Sequence, residues 1–256
     1  MRERGFRDWR VEGFSAVVAL VHGLAEHSGR YGHVAARFLD AGYAVTAVDL
    51  RGHGMSEGFP GDVSGLEDWL ADVAELLERA REGSLGKPVI LMGHSLGALV
   101  AATYVARNPD AVRGLVLSGT AVLAGTALLE SMGDPGAQGI PPEAISRDPE
   151  VVRAYVEDPQ VFADRVTPEA NAGALMAAIE VNQSGPMITL PVLMVHGGED
   201  LIADVEGARD LFESIASSDK ELIVYDGLYH EVMNEPEKER VLDDIVAWLD
   251  RHADAS

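Results

Sequence analysis

Six short apolar runs constrain the fold of this 256-residue chain more than any other feature. Ser15–Val21, Tyr43–Val48, Pro88–Met92, Gly114–Ser118, Pro191–Val195 and Glu221–Tyr225 are rich in β-branched and aliphatic residues and do not alternate with polar ones. Unbroken apolar runs suit strands buried on both faces, which is the environment of a parallel sheet covered by helices on each side. The stretches between them carry the helical period: Tyr31–Leu39, Leu66–Arg81 and Glu237–Arg251 each place their apolar residues on one stripe, and a further helix is expected over Ala98–Arg107. The pattern predicts an α/β, doubly wound, mostly parallel sheet flanked by helices.

One region breaks the rhythm. From Ala121 to Met187 no convincing strand occurs, and Gly133-Asp134-Pro135-Gly136, Gly139 and Pro141-Pro142 separate short helical pieces. An insertion between two strands explains this, and it would lie over the carboxyl edge of the sheet, where such folds bind ligands. The expected organisation is a core formed by 1–120 and 188–256, interrupted by a helical cap or lid at 121–187.

Composition narrows the chemistry. The chain has no cysteine, so covalent catalysis must use another nucleophile, and no zinc-thiolate site or disulfide is available. With 20 basic against 42 acidic residues, a net charge of −22 argues against nucleic acid and against docking on an anionic membrane. The first apolar run holds about six residues, below the roughly 7–15 of a signal-peptide core and the about 20 of a membrane span. A cytoplasmic protein without a transmembrane segment is expected, as monomer or small homo-oligomer.

Gly93-His94-Ser95-Leu96-Gly97 is a G-x-S-x-G run between a predicted strand and a predicted helix. The spacing has a mechanical reason: a serine on a strained, tight turn exposes its hydroxyl, and small residues on either side let strand and helix pack closely. A serine needs a base, and the base an orienting acid. Only His196, His230 and His252 follow Ser95. His252 lies in the polar tail and His196 at a strand end ahead of any acid, whereas His230 sits in the loop before the last helix. Among Glu199, Asp200, Asp204 and Asp226, the preceding Gly197-Gly198 favours Asp200, with Asp204 expected to cap the next helix. An oxyanion hole needs two converging N–H groups, which Leu96 and the His22-Gly23-Leu24-Ala25 loop, through Leu24, are placed to supply.

The runs His22–Tyr31 (HGLAEHSGRY) and Asp49–Gly58 (DLRGHGMSEG), with the Ser95 turn and Tyr229-His230-Glu231, resemble the monoacylglycerol lipases of the α/β-hydrolase superfamily. The resemblance covers roughly residues 15–120 and 186–250. It implies the α/β-hydrolase fold, with about six to eight strands and a helical cap after the sixth strand of that fold. It further implies Ser95, Asp200 and His230 as catalytic residues, Leu24 and Leu96 as oxyanion donors, and Glu26, Arg30 and His94 near the alcohol end of the substrate. Glu26 and Arg30 have a second reading, as a pair that pins the loop carrying Leu24. Arg51, His27 and His53 read as loop-shaping hydrogen-bonders. No metal and no cofactor is expected, and the expected partner is a small-molecule ester, monoacylglycerol, with at most transient lipid-surface contact through the cap.

Two departures from the family pattern stand out. His22 comes so early that one or both edge strands must be missing or shortened, and the cap carries no alignable signature. A short- to medium-chain carboxylesterase, a C–C hydrolase or a perhydrolase would use the same triad. A ligand-binding receptor with vestigial turnover is the alternative of another class. Dehalogenases and epoxide hydrolases are disfavoured because position 95 is Ser rather than Asp. The apolar stretches Ala121-Val122-Leu123 and Ala174–Ile179 are expected either to meet an acyl chain or to pack within the cap.

Overall fold

The computed structural model describes residues 4–63, 65–120 and 140–253. Seven strands form one sheet in the order β1-β3-β2-β4-β5-β6-β7. They are β1 Phe6–Trp9, β2 Val17–Val21, β3 Ala44–Val48, β4 Val89–His94, β5 Gly114–Ser118, β6 Val192–Gly197 and β7 Lys220–Tyr225. All neighbours are parallel except β1, which runs antiparallel along β3 from Phe6 opposite Val48 to Trp9 opposite Val45. Among the described residues the amino-terminal edge is formed by the four-residue strand β1. Its charged Arg7-Asp8 centre hid it from a search for apolar runs, and Asp8 turns outward to bond Thr46 and Arg10, a polar finish typical of an exposed edge.

The helices are α1 Gly32–Asp40, α2 Leu66–Glu82, α3 Leu96–Arg107, α4 Pro149–Glu157, α5 Pro168–Ser184, α6 Val205–Ser214 and α7 Lys238–His252. Successive strand residues point to opposite faces, and they feed two separate cores. Val18, Leu20, Ile90, Met92, Val116, Leu193 and Val195 pack with α1 and α7 around Phe38 and Trp248. Val17, Ala19, Val21, Leu91, Leu117 and Met194 pack with α2, α3, α5 and α6 on the other face. Among the described residues no helix is long and apolar enough to cross a membrane.

Within the insertion, α5 behaves differently from the pieces before it. Ala170, Ala177, Ala178 and Val181 are buried with α2 and α3, and a Cβ on Gly173 would lie 2.9 Å from the Trp69 ring. Small residues let this helix approach closely and complete the helical layer, so the Ala174–Ile179 run packs inward through Ala177 and Ala178. Ala121-Val122-Leu123 lies outside the described residues. The segment 140–163 forms its own small core, in which Ile145, Tyr155, Val161 and Phe162 close over Ala25. It is stitched to the sheet's carboxyl edge at several points: Phe162 N–H donates to Ala25 O (3.0 Å), His27 Nε2 pairs with Asp158 Oδ2 (2.9 Å), and Glu231 N–H donates to Ile145 O (2.8 Å).

Candidate active site

Ser95 stands between the last residue of β4 and the first of α3 with φ +53° and ψ −118°, a left-handed conformation that costs a non-glycine residue of order 1–3 kcal/mol. The turn is held because Ser95 N–H donates to Ser118 O at 2.8 Å. The flanking glycines are sterically required: a Cβ on Gly93 would fall 2.2 Å from Gly97 O, and one on Gly97 would fall 2.3 Å from Val21 O. These are backbone clashes that no side-chain adjustment relieves.

His230 follows β7 in the loop ahead of α7. Its Nδ1 donates to Asp200 Oδ2 at 2.8 Å. The other oxygen of Asp200 accepts from the N–H groups of Ile202 (2.8 Å) and Ala203 (2.9 Å), which locks the carboxylate. Burial would raise the Asp200 pKa, but the His230 charge and hydrogen bonds from His196 and His230 hold it well below the usual carboxylate range. Burial conversely lowers His230, and Asp200 overrides it, so the imidazole is a stronger base than in water. Asp204 caps α6 by accepting from Glu206 N–H at 3.0 Å, as expected.

Sequence reasoning set His196 aside as a base, and its position at the end of β6 gave no sign of another role. In the structure its Nε2 lies 3.3 Å from Asp200 Oδ2 and 2.9 Å from Ala203 O. Both neighbours are acceptors, so Nε2 carries the hydrogen and supports the acid from the side opposite the Ile202 and Ala203 amides. His252 is not simply solvated: it stacks on Trp248 at 4.1 Å and reaches Asp219.

The amides expected to form an oxyanion hole are available. Leu96 is the first residue of α3, where N–H groups lack intrahelical partners and the helix dipole is positive. Neither Leu96 N–H nor Leu24 N–H has a partner among the described residues. The loop carrying Leu24 is fixed by two neutral histidines. His22 Nε2 accepts from Leu50 N–H (3.0 Å), which leaves Nδ1 to donate to Gly23 O (2.7 Å). His53 Nε2 accepts from Ala25 N–H (3.1 Å), and its Nδ1 donates to Arg51 O (3.0 Å). Burial lowers both pKa values, His53 to about 3. Arg51 itself pairs with Asp68 and the buried Asp72, and His27 Nδ1 accepts from Gly29 N–H, so all three expected loop-shapers do shape loops.

Glu26, Arg30 and His94 lie at the same edge. Glu26 Oε1 accepts from Gly23 N–H and Tyr31 Oη–H, both at 2.7 Å, while its Oε2 takes Arg30 at 2.6 Å. Burial disfavours this carboxylate, yet Arg30 and nearby imidazoles bring its pKa down to about 2. Glu26 therefore pins the loop, as the second reading held, and also faces the recess beside Ser95. His94 contacts Ser118 Oγ through Nδ1 (3.2 Å) and lies 4.9 Å from the His230 ring. Burial and His230 depress its pKa to about 4, so it is neutral near pH 7. Ser95, His230, Leu24, Glu26 and His94 line one narrow recess, to which the cap contributes Ile140, Ile145 and Tyr155. Tyr155 and the two isoleucines were not singled out from sequence, because nothing local marks a residue that reaches a site from a remote segment, and Glu231 entered only as part of the Tyr229-His230-Glu231 run, with no role of its own.

Comparison with known proteins identifies the family. A family model described as Hydrolase_4, serine aminopeptidase S33, matches residues 13–237. The chain is 43% identical over 252 residues to a monoacylglycerol lipase of Mycolicibacterium smegmatis, covering 92% of this chain and 88% of that protein. It is 31% identical to the human monoglyceride lipase over 95% of this chain and 85% of that one. The crystal structure of the Paleococcus ferrophilus monoacylglycerol lipase superposes with a TM-score of 0.83 at 32% identity, covering 98% of this chain and 99% of that chain. This chain belongs to the monoacylglycerol lipase family of the α/β-hydrolase superfamily and is a carboxylic ester hydrolase.

Proposed function

We propose that the protein hydrolyses monoacylglycerols to a fatty acid and glycerol, with Ser95, His230 and Asp200 as catalytic triad. Ser95 Oγ attacks the ester carbonyl while His230 Nε2 takes its proton. Asp200 keeps the imidazole in the Nδ1–H tautomer and stabilises its positive charge. Leu24 and Leu96 N–H groups receive the oxyanion, and their lack of other partners supports this role. His230 then protonates the departing alcohol, and water repeats the sequence on the acyl-enzyme. The mechanism draws only on these side chains and amides.

The observation that carries the substrate assignment is the mixed lining of the recess: Glu26, His94 and Glu231 can bond a polyol, and Ile140 and Ile145 offer carbon. Within the insertion, 140–163 is read as the element that covers the site and governs access to it. A cytoplasmic location and a monomeric or small homo-oligomeric state belong to the same reading; cell fractionation and light scattering test them.

The decisive experiment pairs Ser95→Ala with a hydrolysis panel of p-nitrophenyl esters and of mono-, di- and triacylglycerols. Wild type is expected to prefer monoacylglycerols, and the variant to fold normally and lose at least about a thousandfold in kcat. Retained activity in the variant refutes the triad, and a preference for short esters without glyceride cleavage refutes the substrate.

A further inference from the structure

Arg30 is the hub of a buried charge cluster that joins segments 201 residues apart in sequence. One guanidinium nitrogen donates to Glu26 Oε2 and Glu231 Oε1, each at 2.6 Å, and the other donates to Glu231 Oε2 at 2.7 Å. The Tyr155 ring lies 4.6 Å from its Cζ, on the cap. Asn234 Nδ2 donates to Glu231 Oε2 at 2.7 Å. The cluster contains two carboxylates and one guanidinium, both acids about 5% exposed or less, so it carries one uncompensated negative charge in a poorly solvated place. A buried surplus charge is costly unless something opposite in sign develops nearby. The group lining the same recess as Glu26 and Glu231 that becomes positive during the reaction is His230, the residue before Glu231.

We propose that Glu231 is a positioning residue for the base: through Arg30 and Glu26 it ties the His230 loop to the loop that carries Leu24, and it sets a fixed negative charge beside the imidazole. The chain of bonds is continuous, from Gly23 N–H to Glu26, to Arg30, to Glu231, with Glu231 N–H anchored on Ile145 O of the cap. The base and the Leu24 donor thus sit on two loops whose spacing this network sets. The other charged or titratable groups facing His230 are Asp200 on Nδ1, His196 behind Asp200, the neutral His94 ring at 4.9 Å, and Glu26 with Arg30. Asp200 is the larger influence on the imidazole, and Glu231 and Glu26 act in the same direction.

This inference rests on the assignment of His230 as the base, and its test separates the two. The pH dependence of kcat and kcat/KM for p-nitrophenyl butyrate is measured for wild type, Glu231→Gln, Glu231→Asp and Ser95→Ala. In Glu231→Gln the surplus charge is gone, so the acidic limb of kcat/KM, which reports His230, is expected to move down by roughly half to one pH unit. Its plateau kcat is expected to fall about ten- to a hundredfold with little change in KM, as for a displaced catalytic group. Glu231→Asp keeps the charge and shortens the reach, so its limb stays at the wild-type pH while its plateau falls. An unmoved limb in Glu231→Gln overturns the proposal, whatever the plateau does. If Glu231→Gln does not fold, Glu231→Asp decides alone, an unchanged plateau or a shifted limb overturning the proposal; failure of both to fold makes Glu231 structural and overturns it too. An active Ser95→Ala overturns the triad instead, whatever the Glu231 variants do.

Discussion

Lowering the pH from 7 to 5 should destabilise the fold well before any carboxylate titrates, because three histidines are buried in neutral form. His22, His53 and His94 are each less than about 5% exposed, and burial lowers the pKa of all three, to about 3 for His53 and about 4 for His94 against an ordinary 6.5. Between pH 6.5 and those values the unfolded chain binds protons that the folded chain refuses, so stability falls as pH falls. Each group contributes a slope of about 1.4 kcal/mol per pH unit once the unfolded histidine is charged. His53 and His94 together therefore remove about 4 kcal/mol by pH 5, and His22 adds in the same direction. His230 has a raised pKa and acts oppositely: its contribution grows as pH falls through the folded value and is complete below 6.5, so it offsets part of the loss. Against a typical total of 5–15 kcal/mol the effect is large, and at roughly 2–4 °C per kcal/mol it corresponds to a Tm drop on the order of 10 °C.

Urea unfolding followed by circular dichroism at pH ~7, ~6 and ~5 measures the slope, and His53→Gln isolates one contributor. Glutamine can accept from Ala25 N–H and donate to Arg51 O, as His53 does, without titrating. The variant should therefore lose stability with pH less steeply, by about 1.4 kcal/mol per unit. A flat wild-type profile between pH 7 and 5, or an identical slope in the variant, would refute the reasoning.

Asp200→Asn should fold and lose about three to four orders of magnitude in kcat. With its oxygen still taken by the Ile202 and Ala203 amides, the new NH2 faces two ring N–H donors, so His230 must shift its hydrogen to Nε2 and can no longer accept the serine proton. Single-turnover kinetics with a chromogenic ester check this, and a loss below about tenfold would sink the orienting role. Gly97→Ala should yield little folded protein, since its Cβ meets Val21 O and His22 O at 2.3 and 2.5 Å. Soluble expression with wild-type Tm would show that the turn can open more than this packing allows.

The positions of Ser95, His230 and Asp200 at strand ends were each legible because strand-turn signals and glycine spacing are local. The same holds for β2 to β6, whose unbroken apolar runs reflect burial on both faces, while β7 at the other edge is only partly buried. Other features were not legible, for identifiable reasons. β1 is short and half polar, and only pairing with β3 makes it a strand. The inward packing of α5 depends on Trp69, about a hundred residues earlier in the chain. His196 looked like an ordinary strand-end residue until the loop after β6 folded Asp200 back over it.

What the sequence by itself determined is the order and spacing of elements, the family to which they point, and which residue types stand where strands end. Only the tertiary structure decided how the loops are held relative to one another. The Glu26–Arg30–Glu231 cluster joins the first catalytic loop to the last, and its partners carry no mark in sequence of their mutual approach. Local propensity acts over a few residues, whereas an ion pair forms between any segments that the sheet's strand order brings to the same edge.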